Sequence, residues 1–354
     1  MPRLRRSNPC TPGLTRKRVG RAFRYVDQAG SRIDDEATLA RIDALRIPPA
    51  WTDVWICPWP NGHIQCIGTD ARGRRQYLYH DDWRTRRDRE KFARITDFAR
   101  ALPAARERVH ELLEQPELTS DRVLAAAVRL LDLGFFRIGS EEYAEQNETF
   151  GLATIRRDHV TVSHGVITFD YTAKSGKHRI QSIGDADVLA VVQQLKRRRG
   201  GGEELLAYKR PDGSWSDVKS ADINGAIRDF LGGDFTAKDF RTWNATVLAS
   251  VALAVSEHAA VSPTARKRAI TRAIKEVADY LGNTPAVARA SYIDPHVIDL
   301  FADGVTIAPA LEHLGADVNF GQLATQGAIE SAVLQMLTGE TSIEHVRSAR
   351  RAAS

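Results

Sequence analysis

The stretch Leu281-Gly-Asn-Thr-Pro-Ala-Val-Ala-Arg-Ala-Ser-Tyr-Ile-Asp-Pro295 follows a long helical pattern and delivers a single tyrosine. Gly282 can end the preceding helix, because glycine accepts the left-handed conformation that closes helices. Asn283 or Thr284 can cap a second, short helix that has a proline in its first turn. Tyr292 then stands at the end of this short helix. A tyrosine in such a place most often packs into a core. Whether Tyr292 has a functional role must therefore be judged from the rest of the chain.

Composition narrows the classes of protein that fit. The chain has 354 residues, which indicates roughly two domains. No apolar run approaches the length of a transmembrane helix, so no membrane association is expected. The net charge of +5 favours a polyanionic partner. Three scattered cysteines indicate a reducing compartment, and no paired CxxC or HExxH pattern predicts a metal site.

The N-terminus is strongly basic. Residues 1–24 contain eight Lys or Arg and no acid. Their prolines argue against the amphipathic helix of a transit peptide, and no apolar segment follows as in a secretory signal. A solvated basic arm and an arm that contacts a DNA backbone fit equally well. We predict that residues 1–20 form a disordered basic arm.

Residues 21–88 favour strands and predict a small β-rich domain. A short helix is expected at Thr38–Leu45. Two apolar runs flank Asn61-Gly62, a strong signal for a hairpin turn. The mixed charge run Arg84–Lys91 is interpreted as the link to a second domain.

The segment Arg74–His80 interleaves basic and aromatic residues. Alternation puts Tyr77 and Tyr79 on one face of the strand and Gln76 with Leu78 on the other. Tyrosines flanked by arginines suit contact with a nucleic-acid groove or backbone. The alternative is an ordinary strand whose tyrosines border a core.

Residues 89–354 predict a mainly helical domain. Helices are expected at 88–102, 104–113, 123–131, 185–199, 220–231, 238–255, 266–281 and 322–337, and after Thr341. Residues 159–183 alternate in a way that predicts a three-stranded meander. Lys174 lies in its second turn, held out by short, glycine-containing chain.

Several familiar chemistries lack their motifs. The sequence has no GxxxxGK[ST] loop, no GxSxG elbow and no acidic cluster typical of a two-metal nuclease. What remains is a tyrosine and several cations on separate elements. A phenol near pKa 10 is ionised in roughly one molecule in a thousand at pH 7, and nearby guanidinium groups would favour the phenolate. Arginine forks suit phosphate oxygens, and lysine can give a proton to a leaving oxygen. Such a site needs neither metal nor ATP.

Five segments, in this order and spacing, resemble the type IB DNA topoisomerases in the short form of poxviruses and bacteria. The resemblance covers about residues 20–300. Its motifs are Gly73-Arg-Arg-Gln-Tyr-Leu-Tyr79, Phe136-Arg-Ile-Gly139, Thr172-Ala-Lys-Ser-Gly-Lys177, Lys238-Asp-Phe-Arg-Thr-Trp243 and Gly282-Asn-Thr-Pro-Ala-Val-Ala-Arg-Ala-Ser-Tyr292.

The resemblance implies a role for each residue of a catalytic set. Tyr292 would attack a DNA phosphate and hold the 3′ end covalently. Arg137 and Arg241 would bind the oxygens of that phosphate, and Lys174 would protonate the 5′ oxygen. Asn283 stands where poxvirus members have a histidine, so it can donate a hydrogen bond but cannot titrate.

The resemblance also implies the fold and the partners. The fold class is α+β, with a β-rich N-terminal domain before a mainly helical catalytic domain of the tyrosine recombinase and topoisomerase IB type. Lys238 would support the site and touch DNA, while Gln76, Tyr77 and Tyr79 would meet the groove and backbone. The two domains would close around double-stranded DNA. We expect a monomer without cofactor or metal, acting in the bacterial cytoplasm at the nucleoid.

Two other interpretations remain at this point. Tyrosine recombinases share the nucleophile, but they usually have a histidine where this chain has Lys238, and they lack the β-rich domain. A DNA-binding relic would bind DNA without forming adducts. Single residues also have ordinary alternatives: Arg137 could cap the preceding helix, Lys174 could be a solvated turn lysine, and Arg241 could pair with Asp239 or Asp229.

Overall fold

The chain divides into two compact units, Met1–Ala93 and Arg94–Ser354, whereas the sequence prediction set the boundary between residues 88 and 89. The division falls inside one long helix. In the part of the chain that is described, no helix is both long and apolar enough to cross a membrane. The structure is a computed structural model that describes residues 3–20, 22–142, 144, 148–314 and 326–339.

The first unit is built on a five-stranded antiparallel sheet with strand order β2-β1-β3-β4-β5. Alternation of the strands puts Leu14, Ile56 and Cys66 in one core with Ile42 of the helix. The β-rich first domain predicted from the sequence is confirmed. Its elements are β1 (Leu14–Val19), β2 (Ala22–Val26), α1 (Glu36–Ala44), β3 (Thr52–Ile56), β4 (Ile64–Thr69) and β5 (Arg75–Tyr79).

The basic arm differs from its prediction, because its described residues are ordered. β1 pairs with β2 on one side and with β3 on the other. Further back, the N–H of Arg5 donates to the carbonyl of Asn61 (2.8 Å), and the N–H of His63 donates to the carbonyl of Arg5 (2.9 Å). These backbone bonds fix the arm against the β3–β4 hairpin.

Arg16 gives the physical reason for this difference. Its guanidinium donates to the carbonyls of Ile47 (3.2 Å), Pro48 (3.0 Å) and Trp51 (2.7 Å). The guanidinium of Arg16 therefore serves as the hydrogen-bond donor that holds the loop before β3. Sequence reasoning assigned the same charge either to a solvated arm or to contact with a DNA backbone, because composition does not reveal a structural hydrogen-bond donor.

Helix α2 (Asp81–Leu113) replaces the predicted link and the two predicted helices that follow it. Pro103 lies inside this helix, where it removes one backbone hydrogen bond. Buried side chains stand on both sides of the proline, among them Leu102, Ala105 and Val109. Their packing keeps the helix continuous through a residue that normally interrupts one.

The second unit is mainly helical, and α+β is confirmed for the whole chain. The predicted meander is present with strand order β6-β7-β8, and an unpredicted hairpin pairs β9 with β10. The elements after α2 are α3 (Ser120–Leu133), β6 (Val160–Ser163), β7 (Val166–Ala173), β8 (Lys177–Ile183), α4 (Ala186–Arg197), β9 (Ala207–Lys209), β10 (Trp215–Asp217), α5 (Ser220–Leu231), α6 (Ala237–Val255), α7 (Pro263–Leu281), α8 (Pro285–Ser291), α9 (Pro295–Ala302), α10 (Ala308–Leu314) and α11 (Ala328–Thr338).

Helix α6 lies at the centre of this unit. It packs against α3, α5, α7, α9, α10 and α11, and Phe240, Trp243, Ala245 and Val247 on it are almost fully buried. The helix predicted at 322–337 is described only as α11, and the helix predicted after Thr341 lies outside the described residues. Because α6 is held on all sides, side chains on it have fixed positions.

Candidate active site

The segment that delivers Tyr292 folds as its capping residues predict. Gly282 ends α7 in the left-handed region with a φ of 62°, and the side chain of Thr284 caps α8. Tyr292 follows directly, and its N–H donates to the carbonyl of Ala288 (3.0 Å). A Cβ on residue 282 would lie 3.0 Å from the guanidinium of Arg179. Glycine is therefore favoured at this turn both by conformation and by space.

Thr246 on α6 anchors the backbone around the tyrosine. Its hydroxyl lies 3.3 Å from the carbonyl oxygen of Tyr292 and accepts a hydrogen bond from the N–H of Asp294 (3.2 Å). Thr246 is fully buried. The ring of Tyr292 packs beside an apolar cluster that includes Ala288 and Ile293. The phenol thus belongs to a rigid element rather than to a free loop.

Arg241 on the same helix lies against the tyrosine ring. Its guanidinium carbon is 5.2 Å from the ring centroid of Tyr292, and the residue is 3% exposed. Its two terminal nitrogens donate to the carbonyls of Phe135 and Leu281, the latter at 3.0 Å. The loop after α3 and the end of α7 are joined through this one side chain. Asp239 does not neutralise it, because Asp239 pairs with Arg94 at 2.8 Å.

Arg137 comes from the loop after α3. It donates to the carbonyl of Gly282 (3.3 Å) and to Oδ1 of Asn283. Its own carbonyl accepts from the N–H of Leu152 (2.8 Å), which fixes the loop. Arg137 therefore contacts the turn before the tyrosine, at the end of α7, rather than the end of the preceding helix α3.

Two buried donors in this cluster have no hydrogen-bond partner among the described residues. They are Nε of Arg241 and Nδ2 of Asn283. Buried polar groups are nearly always paired, so unpaired donors in one cluster call for an explanation. An incoming oxygen ligand supplies one.

Lys238 lies near the ring of Tyr292, whereas Lys174 lies in an exposed turn of the meander. Lys238 lies one turn before Arg241 on α6, with its amine 5.9 Å from the ring centroid of Tyr292. Lys174 is exposed in the turn between β7 and β8. That turn uses the left-handed conformation at Ser175 and Gly176, with φ of 68° and 71°.

Strand β8 connects the Lys174 turn to the tyrosine segment. Nζ of Lys177 lies 3.4 Å from the carbonyl oxygen of Gly282, and Arg179 donates to the carbonyls of Asp279 (3.3 Å) and Tyr280 (2.8 Å). Sequence reasoning gave no role to Lys177, Arg179 or Thr246. The one local signal was the i, i+2 spacing of Lys177 and Arg179, because residues with this spacing share one face of a strand.

Charge around the phenol favours its ionised form. Burial alone raises the pKa of Tyr292. The charges of Arg241, Lys238 and Arg137 outweigh burial, and the pKa lies below the ordinary value of 10.0. Burial lowers the pKa of both arginines. Because burial disfavours the charged forms of these guanidinium groups, pairing with an anion would be favourable there.

The predicted DNA-contacting residues of β5 lie in the other compact unit. Tyr77 and Tyr79 are exposed, and their rings stack with centroids 6.1 Å apart. Gln76 lies on the opposite face, where its side-chain amide donates to Asp70 (3.0 Å). The structure thus groups the two tyrosines and separates Gln76 from them. Within the described residues, no group of three or more His, Cys, Asp or Glu could hold a metal ion.

Comparison with known proteins covers both units. Residues 80–300 match the family described as Eukaryotic DNA topoisomerase I, catalytic core, and residues 22–70 match Bacterial DNA topoisomerase IB, N-terminal domain. DNA topoisomerase 1B of Acanthamoeba polyphaga mimivirus is 32% identical over 82% of this chain and 87% of its own length. DNA topoisomerase 1B of Vaccinia virus (strain Copenhagen) is 23% identical over 76% of this chain and 84% of its own.

The first family match covers more than half of the chain, and the mimivirus relative is similar along most of both sequences. The resemblance inferred from the five motifs is thereby confirmed. The chain belongs to the type IB DNA topoisomerase family.

Proposed function

We propose that this enzyme relaxes supercoiled duplex DNA by cutting and rejoining one strand through a phosphotyrosine intermediate. The observation that carries the proposal is the pair of buried, unpartnered donors beside a phenol of lowered pKa. Nε of Arg241 and Nδ2 of Asn283 lack acceptors among the described residues. The non-bridging oxygens of a phosphodiester are acceptors of the right charge.

In the proposed cleavage step, the phenolic oxygen of Tyr292 forms a bond to phosphorus as the bond from phosphorus to the 5′ oxygen breaks. The phenolic proton passes to solvent, and the ammonium of Lys174 gives a proton to the 5′ oxygen. Arg137 and Arg241 bind the non-bridging oxygens, where negative charge builds up. The 3′ end stays covalently attached to the protein.

Asn283 and Lys238 have supporting roles in this proposal. Asn283 holds Arg137 through Oδ1, so Nδ2 is left to donate to a phosphate oxygen. It cannot exchange a proton, so it does not act as an acid or base. Lys238 adds positive charge near the phenol and contacts DNA.

Religation reverses each step. The 5′ hydroxyl attacks the phosphotyrosine, Lys174 takes its proton back, and Tyr292 leaves. The phosphodiester energy is kept in the protein–DNA bond, so the cycle consumes no ATP. Between the two steps the cut strand swivels about the intact one. Tyr77, Tyr79 and Gln76 are proposed to contact the DNA from the N-terminal unit.

The decisive experiment follows a supercoiled plasmid with EDTA present and ATP absent, with reactions stopped by SDS. The wild type should relax the plasmid and yield a covalent protein–DNA adduct. Tyr292→Phe should bind the plasmid but form no adduct, because it lacks the attacking oxygen. Tyr208→Phe, on β9 and outside the cluster, is the matched control and should behave as the wild type. An adduct that survives in Tyr292→Phe would assign the nucleophile to another residue.

A further inference from the structure

A basic cleft lies within the N-terminal unit, between the N-terminal arm and the first turns of α2. Its volume is about 730 Å³. One aspartate, Asp82, is part of its lining. We call it the arginine cleft after five residues that line it: Arg3, Arg5, Arg6, Arg86 and Arg89.

The arm that carries three of these arginines is fixed by several contacts. Besides the backbone bonds of Arg5, the N–H of Ser7 donates to Nδ1 of His63 (2.8 Å). The guanidinium of Arg5 lies 3.5 Å from the ring centroid of Trp59. The arginines therefore converge because the fold holds them there, and not through a chance arrangement of a loose terminus.

Most of their charge is unpaired within the part of the chain that the structure describes. Among the described residues, Arg3, Arg5, Arg6 and Arg89 form no ion pair, while Arg86 pairs with Glu90 at 2.9 Å. Like charges gathered in a concave surface raise the local positive potential and attract anions. Guanidinium groups bind phosphate oxygens through two parallel hydrogen bonds.

Besides Asp82, the lining includes two aromatic rings. The rings of His63 and Trp83 meet edge to face, with centroids 4.8 Å apart. Burial lowers the pKa of His63, which keeps that ring uncharged at neutral pH. The wall thus adds no positive charge of its own, and anion binding would depend on the arginines.

We propose that the arginine cleft binds the phosphate backbone of the duplex DNA on which the enzyme acts. This rests on the function proposed above. A single phosphodiester has only two non-bridging oxygens, too few to accept from the guanidinium groups of all five arginines, so a run of phosphates along a strand matches this lining better. The cleft is thus a phosphate-binding surface additional to the tyrosine face of β5.

The test measures how DNA affinity depends on salt in the full-length Tyr292→Phe protein, which cannot cleave under the proposed mechanism. Each phosphate contact contributes about 0.9 to the slope of log affinity against log salt. Removing two contacts with R6Q/R89Q should therefore reduce the slope by about 1.8. The matched control is R32Q/R46Q, which removes the same charge from exposed arginines outside the cleft and should leave the slope unchanged.

Two further measurements keep the result interpretable. R6K/R89K retains both positive charges, so its slope should lie close to that of the parent Tyr292→Phe protein. This variant can be compared with the parent even if R6Q/R89Q proves too unstable to measure. An unchanged slope in folded R6Q/R89Q overturns the proposal. The proposal is also wrong if R6Q/R89Q keeps the slope but is no longer stabilised against heat by inorganic tripolyphosphate. That result would mean that the cleft binds a small polyanion.

Failure of the proposed function has a different signature. If the wild type forms no Tyr292 adduct while R6Q/R89Q still lowers the salt slope, the cleavage mechanism is wrong and the cleft binds DNA. If the adduct forms and the slope does not change, the cleft assignment alone is wrong.

Discussion

The two sides of helix α6 use arginine in opposite ways. One side faces an acid-paired cluster, in which each charge has a partner. The other faces a cationic site, in which positive charges gather around a phenol without an acid. The acid-paired cluster comprises Arg106, Arg129, Asp132, Asp185 and Glu330, and the cationic site comprises Arg137, Lys238, Arg241 and Tyr292.

Short contacts join the acid-paired cluster. Arg106 reaches Asp132 at 2.7 Å and Glu330 at 2.6 Å, and Arg129 reaches Asp185 at 2.9 Å. Trp243 of α6 donates its indole N–H to Glu330 (2.8 Å). This network fastens α2, α3 and α11 to the central helix.

This difference separates arginines that stabilise the fold from arginines that are suited to bind a ligand. A buried arginine whose carboxylate partners are in place holds elements together. A buried arginine with a donor left over gains more when a ligand anion arrives than it gains in the empty protein. Substitutions in the two regions should therefore change different measurements: the free energy of unfolding in one and the cleavage rate in the other.

The largest effect is expected from Lys174→Ala. Loss of a general acid slows a reaction by about 10²–10⁴-fold. A substrate with sulfur in place of the 5′ bridging oxygen has a leaving group that needs no proton, so it should restore the rate. Single-turnover cleavage of both substrates measures this.

Lys177→Ala is the matched control for Lys174→Ala. Lys177 contacts the carbonyl of Gly282, so its loss should affect both substrates equally. Absence of rescue in Lys174→Ala would remove the acid role from that residue.

Arg137→Ala should come next. Removing one donor to a developing oxyanion costs about 10²–10³-fold in rate. Arg129→Ala is its counterpart in the acid-paired cluster and should mainly lower the free energy of unfolding. Cleavage kinetics and urea unfolding on both proteins test the contrast. If Arg137→Ala destabilised the fold as much as Arg129→Ala, the division between the two regions would fail.

Glu330→Gln should destabilise the protein with little change in the cleavage rate of the folded enzyme. Glu330 accepts from both terminal nitrogens of Arg106 and from Trp243. Breaking one side of a buried pair costs about 3 kcal/mol. Glu276→Gln, an exposed acid on α7, is the control and should change the free energy of unfolding by less than about 0.5 kcal/mol. Equal unfolding midpoints for the two variants would show that the network is not stabilising.

The sequence predicted the tyrosine segment well because its signals are local. Gly282 and Thr284 act on neighbouring residues, so capping rules apply directly. The five motifs predicted the family, which the comparisons confirm. The role of Asn283 stays a prediction.

What the sequence missed depends on contacts between distant residues. Thr246 meets Tyr292 across 46 positions, and Arg179 meets Tyr280 across 101. No local pattern encodes such pairs. The N-terminal arm was misjudged for the same reason, since the carbonyls that Arg16 contacts lie more than 30 residues away.

The smallest effect is expected from Lys238→Met, as a displaced pH profile. The phenolate of Tyr292 is favoured because nearby positive charges outweigh burial, and Lys238 supplies one of them. Removing a cation disfavours the ionised form, so the pKa of Tyr292 rises. The rising limb of the cleavage rate should then move to higher pH.

The bridging-sulfur substrate is best for this measurement, because its leaving group removes any contribution from proton donation by Lys174. Lys209→Met removes the same charge from an exposed position on β9 and serves as the control. With Lys238→Met, the rate loss should be greatest below the pKa, where the phenolate fraction falls about tenfold per pH unit, and should vanish above it. A uniform loss at every pH would mean that Lys238 acts through DNA binding, and that Arg241 and Arg137 alone set the ionisation of the phenol.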